Sequence, residues 1–142
     1  MSTTAAGLSV TTVTTDQQAP LGFQLTVPNG DFGLQTWVYV FNDDAAANWA
    51  IGDLIQLDTD FVPFHGIQSA GSALVKLRVL GAAQHTIAAG SYGFILQRGR
   101  GTVKASGRAG EMGAGEEAGV FGMNLTASGV AGAALTCWLD CY

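Results

Sequence analysis

Hydrophobic and polar positions alternate through much of this chain at the spacing of β-strands. Phe23, Leu25 and Val27 are separated by Gln24 and Thr26, the pattern of a strand with one face buried and one in water. Pro28-Asn29-Gly30-Asp31 follows as a turn, its Asn-Gly pair suited to positive φ. Thr36-Trp37-Val38-Tyr39-Val40-Phe41 is apolar on both faces. That predicts a strand buried on both sides, or one whose second face meets another subunit. Asn42-Asp43-Asp44 can cap a short helical turn through Ala45-Ala46-Ala47-Asn48-Trp49. Gly52-Asp53 ends it, and Leu54-Ile55-Gln56-Leu57 resumes β structure. A loop holding Asp58, Asp60, Phe61, Pro63 and Phe64 comes before Val75-Lys76-Leu77-Arg78-Val79-Leu80. There Lys76 and Arg78 share one face, and Val75, Leu77 and Val79 the other.

Gln84 to Val103 is the stretch around which the rest is organised. Ile87 precedes the small-residue turn Ala88-Ala89-Gly90, after which Tyr92, Phe94 and Leu96 can line one sheet face. Arg98-Gly99-Arg100-Gly101 then sets two guanidinium groups where that strand ends. The pattern predicts a central strand opening into a basic loop. Val103 to Ser106 is a further short strand, and Ser106 to Gly122, with six glycines, is a loop. Val120 to Thr126 and Ala133 to Leu139 are the last strands. Residues 2 to 19 are rich in Thr and Ala; β-branched Thr and Val favour extended backbone, but the segment offers little to bury. Residues 1–19 are therefore an extended N-terminal arm that orders against a neighbour, or a plain tail. Short strands between glycine-rich turns, with at most one short helix, make residues 20–142 a single all-β domain, a small β-barrel or β-sandwich.

Composition bears on assembly. Only 12% of the 142 residues are charged while 48% are hydrophobic, so polar groups are few for the surface they must cover. Apolar patches that call for partners are expected, which favours an oligomer over a weakly charged monomer. The net charge of −5 is unevenly spread. All six bases (Lys76, Arg78, Arg98, Arg100, Lys104 and Arg108) fall between residues 76 and 108, where no acid occurs. Seven acids precede that band and four follow it. Such segregation favours contacts of opposite sign within or between copies. Six cations in an acidic chain are a poor footprint for nucleic acid. Neither a signal peptide nor a twenty-residue apolar span is visible, so synthesis in a reducing cytoplasm is expected. Cys137 and Cys141 are then free thiols rather than a structural disulfide, with a bridge between them or between copies left open after release from a cell.

Catalytic chemistry finds little to stand on. His65 and His85 with Cys137 and Cys141 lack the close histidine pairing of a zinc site. Gly90-Ser91-Tyr92-Gly93 is no nucleophile elbow, and Gly113-Ala114-Gly115-Glu116-Glu117 is no dinucleotide fingerprint. Asp43-Asp44 and Asp58/Asp60 are paired carboxylates without the spacing of a calcium loop. No catalytic residue, cofactor or metal is expected.

Several of these motifs taken together resemble a known family. They are Pro20-Leu21-Gly22, Trp37-Val38-Tyr39-Val40, Asn42-Asp43-Asp44-Ala45-Ala46, Ile51-Gly52-Asp53-Leu54 and Gly81 to Phe94 continuing through Arg98-Gly99. In that order they resemble the small head decoration, or cement, proteins of tailed bacteriophages, over about residues 20 to 103. The resemblance implies a non-enzymatic structural virion protein, commonly a homotrimer, on the outer surface of the capsid. There it would bind the major capsid protein and bridge capsomers, with no role for membrane or direct nucleic-acid contact. The arm, through Val10, Thr12 and Val13, would add a strand to a neighbour. Lys76, Arg78, Arg98, Arg100 and Lys104 would pair with acids of the shell or of another copy. The other reading is a tail or neck component, or a receptor- or carbohydrate-binding virion module built on Trp49, Asp43-Asp44 and His65.

Overall fold

The computed structural model describes residues 4–5, 8–58, 62–68, 79–104, 117–118, 123–124 and 134–140, with side chains described for 8–58, 62–68 and 79–104. These residues form β1 (Thr4–Ala5), β2 (Leu8–Ser9), β3 (Gln24–Pro28), β4 (Leu34–Asn42), β5 (Leu54–Leu57), β6 (His65–Gln68), β7 (Val79–Ala82), β8 (Tyr92–Lys104), β9 (Glu117–Ala118), β10 (Met123–Asn124) and β11 (Ala134–Asp140). A 3-10 turn at Gly30–Phe32 joins β3 to β4 where the Asn-Gly signal stands. Among the described residues there is no α-helix, and none long and apolar enough to cross a membrane.

Strands β4, β8, β7, β5 and β6 pair in that order, and the first residues of β6 return parallel to the end of β4. The ring is a closed five-stranded barrel. β3 lies on the first half of β4, and β11 pairs with β8 from Arg98 to Lys104. Of the two expected all-β forms, the barrel is the one formed.

Both faces are buried through most of β4, as its unbroken apolar run predicts, and through the first half of β8. On one face Trp37 and Tyr39 pack with Leu25, Val27, Phe94 and Leu96. On the other, Val38 and Val40 pack with Trp49, Ile55, Ile87 and Ile95. Alternation then breaks at one residue. Thr36 pairs with Arg98 and Trp37 with Leu96, so Gln97 has no partner on β4. This is a β-bulge, and it reverses which face each later residue occupies. Before it, Phe94 and Leu96 belong to the Trp37 core; after it, Val103 does, while Arg98 and Arg100 are exposed. Without the extra residue the two arginines would point into that core.

Three expectations need correction. The basic segment is not a loop: β8 continues through it to Lys104, so Val103-Lys104 is the end of that strand and not a separate one. No helical turn forms at 45–49. Asn42 prevents it, its Oδ1 accepting from the Asp44 N–H at 3.0 Å and its Nδ2 donating to the carbonyls of Ala47 at 3.1 Å and Ile87 at 2.9 Å. Trp49 instead exchanges backbone hydrogen bonds with Ile87 at 2.9 and 3.1 Å. Finally, residues 8–19 pack on their own barrel. Thr14 and Tyr92 exchange backbone hydrogen bonds at 3.1 and 2.8 Å, and the Gln18 N–H donates to the Tyr39 hydroxyl at 3.0 Å. Val10 is fully buried in the Trp37 core of its own chain.

Candidate functional site

The sequence-predicted interface residues end up in different places. Arg98 and Arg100 stand side by side on the exposed face of β8. Gly99 between them has φ +113, and a Cβ there would lie 2.8 Å from the Leu34 carbonyl oxygen. Glycine alone lets β4 lie that close to β8 with this backbone. The Arg100 guanidinium covers the Phe32 ring at 5.5 Å, a cation–π contact that orients it. Leu34, abutting Gly99, is 67% exposed, the most exposed large apolar side chain described. Leu34, Phe32, Arg98 and Arg100 thus form one patch, apolar at one edge and cationic at the other. Lys104 is committed elsewhere. Its Nζ lies 2.8 Å from Oδ1 of buried Asp53, whose Oδ2 accepts from the Ala50 N–H at 2.8 Å. Thr12 is exposed, and Val13 is half-buried against the Val38 cluster. Lys76 and Arg78 lie outside the described residues, as do Asp60, Cys141 and the Cys137 side chain.

The cluster proposed for a binding module does assemble, but as a latch. Asp44 Oδ2 accepts from Trp49 Nε1 and from the Gln68 N–H, each at 2.8 Å. Asp43 Oδ2 lies 3.2 Å from His65 Nδ1. Trp49 itself has no exposed surface. These acids join the 42–49 segment to β6, and their aromatic partner cannot reach a ligand from that position.

A third place was not visible in the sequence. A cavity of about 300 Å³ opens between residues 10–11, the 3-10 turn, β4 and the 84–85 turn. Its amide side chains are already engaged. Gln35 accepts from Asn29 Nδ2 at 2.9 Å and donates to the Arg100 carbonyl at 2.7 Å. Gln84 imitates a strand, donating to the Thr102 carbonyl at 2.8 Å and accepting from the Thr102 N–H at 2.9 Å. Two ring nitrogens are different. Trp37 Nε1 and His85 Nε2 are buried and have no hydrogen-bond partner, and both residues line this cavity with ring centroids 6.4 Å apart. Burial holds the His85 imidazole below its ordinary value of 6.5, because a low-dielectric setting disfavours the charged form. Lining residues drawn from positions 10 to 102 leave no local spacing to read.

Among the described residues no three His, Cys, Asp or Glu side chains gather as a metal site would require. Comparison with family models, with curated proteins and with solved structures finds no match to this chain.

Proposed function

We propose that this chain is a structural virion protein, a capsid decoration protein that binds the outside of a phage head lattice and stabilises it by bridging capsomers. The observation that carries the reading is the patch on β8. A bulge at Gln97 turns Arg98 and Arg100 outward beside exposed Leu34, in a chain whose other charges are mainly acidic. Apolar surface rimmed by cations suits an acidic protein surface, with the charge setting orientation and the leucine supplying buried area. The resemblance of its motif order to head decoration proteins is in keeping with this reading. A ligand that binds only the assembled lattice stabilises it by mass action, about 2.7 kcal/mol at a hundredfold excess over its dissociation constant. The partners in this reading are the major capsid protein and further copies of the chain, as a homotrimer. The second reading, a receptor- or carbohydrate-binding virion module, is favoured by the Trp37–His85 cavity.

Co-sedimentation with empty phage heads tests the first reading. The wild-type chain should pellet with the heads, and Arg98→Glu/Arg100→Glu should lower occupancy at least tenfold while leaving the thermal midpoint within a few degrees. Wild-type protein left in the supernatant, or equal occupancy by the double variant, refutes it.

A further inference from the structure

Asn29-Gly30 is the one Asn-Gly step in the chain; the other asparagines, Asn42, Asn48 and Asn124, precede Asp, Trp and Leu. An asparagine followed by glycine is the step most prone to deamidation, because no side chain hinders attack by the glycine nitrogen on the amide carbon. In that reaction the Gly30 nitrogen bonds to Asn29 Cγ and the Cγ–Nδ2 bond breaks. Ammonia leaves with the proton given up by the Gly30 nitrogen, and a five-membered imide remains. Water then opens the imide at either carbonyl, to an aspartate or to an isoaspartate whose side-chain carbon has entered the backbone.

The fold bears on both sides of this reaction. At Asn29 ψ is 71°, which turns the Gly30 nitrogen to the far side of the Cα–C bond from Cβ, and attack requires it to swing round. Backbone hydrogen bonds from Asn29 to Gly33 at 2.8 Å, from Phe32 to Asn29 at 3.0 Å and from Gly33 to Gly30 at 3.1 Å oppose that rotation. The intact turn therefore keeps nucleophile and amide carbon apart. It is nonetheless a surface turn: Gly30 is exposed, and a Cβ there would meet nothing within 4 Å. Opening displaces no packed neighbour at Gly30, and water can reach the imide. After reaction, a buried link is lost. Gln35, only 2% exposed, accepts from Asn29 Nδ2 at 2.9 Å and donates to the Arg100 carbonyl at 2.7 Å. A carboxylate at position 29 only accepts. Left in place, Gln35 Oε1 faces an anion and has lost its donor. Turned over, it satisfies the carboxylate and abandons the Arg100 carbonyl. One hydrogen bond goes either way.

We propose that Asn29 is a deamidation site guarded by its own turn: modification follows opening of the β3–β4 connection, and the modified chain cannot rebuild the Asn29–Gln35–Arg100 link. The change also adds a negative charge to the turn that carries Phe32, the ring beneath the Arg100 guanidinium. The site does not depend on the shell-binding role.

The test incubates the full chain in mildly alkaline buffer, folded and in denaturing urea, and follows each asparagine by peptide mass spectrometry with enzymatic detection of isoaspartate. Modification first at Asn29 in both samples, at least tenfold slower in the folded chain, is expected. Asn29→Asp, which reproduces one product, should melt several degrees below the wild type. Asn29→Ala, which removes the donor without adding charge, should fall part of the way and carries the comparison if Asn29→Asp does not fold. The proposal is overturned if another asparagine reacts first in the folded chain, or if folded and unfolded chains react at equal rates. It is equally overturned if the folded chain shows no product at Asn29 after a hundred half-lives of the unfolded one, or if a folded variant melts with the wild type. Because the assay contains no phage heads, its failure leaves the capsid result untouched.

Discussion

Two tryptophans, each at most 3% exposed, show how similar burial can serve different ends. Trp49 donates its indole N–H to Asp44 and pairs its backbone with Ile87. Two polar side chains of the same segment are engaged as well, with Asn42 binding three backbone atoms and Asp44 two donors. Trp37 packs in the opposite core with its N–H unpaired, beside a histidine in the same condition. A fully satisfied polar cluster stiffens a fold and has no capacity left for a ligand. An unsatisfied pair instead carries the cost of its missing bonds. Acids and an aromatic lying close in sequence (Asp43, Asp44 and Trp49) prove structural, and the two unpaired ring nitrogens belong to residues 48 apart, Trp37 and His85.

The largest expected effect comes from dismantling the satisfied side. Asn42→Ala removes two donors and one acceptor from a side chain with no solvent access. The carbonyl of Ala47 and the N–H of Asp44 lose these partners, at about 1–3 kcal/mol for each group left buried, while the carbonyl of Ile87 keeps its bond from the Trp49 N–H. A total loss of about 3 kcal/mol or more, read as a fall in the urea midpoint at constant m-value, is the expected outcome. A loss under about 1 kcal/mol would mean that water replaces the amide and that this end of the barrel is wet.

Next comes the contrast itself, Trp49→Phe against Trp37→Phe. Both replacements shorten a buried ring and forfeit packing. Only the first also breaks a charge-assisted hydrogen bond, taking from the Asp44 carboxylate one of its two donors. Trp49→Phe should therefore be less stable by a further ~1–2 kcal/mol, because Trp37→Phe also deletes an N–H that had no partner. Equal losses in the two variants would show that the Trp37 N–H is satisfied in solution, and would remove the distinction between the two sites.

The same contrast explains what the sequence could reveal. Periodicity located β3, β4, β5 and the start of β8, because burial of alternate or continuous apolar residues leaves a mark within six or seven positions. It extended no further than Leu96, since a bulge at Gln97 looks in sequence like the end of an alternating run. β6 was missed for a related reason. His65-Gly66-Ile67-Gln68 has no apolar period, and its pairing depends on Gly66, where a Cβ would lie 2.6 Å from Ile55 Cγ2 and 3.1 Å from the Trp49 ring. The helical turn at 45–49 was expected on the propensity of three alanines, and tertiary hydrogen bonds through Asn42 outweigh that preference. The basic pair was legible as residues but its exposure was not, because exposure depends on the bulge. The Trp37–His85 cavity was not legible at all, since an absent hydrogen bond leaves no trace in a sequence.

The smallest effect is a pH dependence carried by His85. Its folded value lies below the ordinary 6.5 because burial disfavours the imidazolium. The unfolded chain therefore binds the proton more readily, so stability rises with pH between the lowered value and 6.5 and falls as pH drops through that window. Above it both states are neutral and the contribution is fully present. His65, the other histidine, is common to the wild type and a His85→Gln variant, so the difference between their stability curves isolates His85. The wild type should lose more stability than the variant between pH 7 and pH 5, by at most ~1 kcal/mol. Parallel stability curves would place the His85 ring in water.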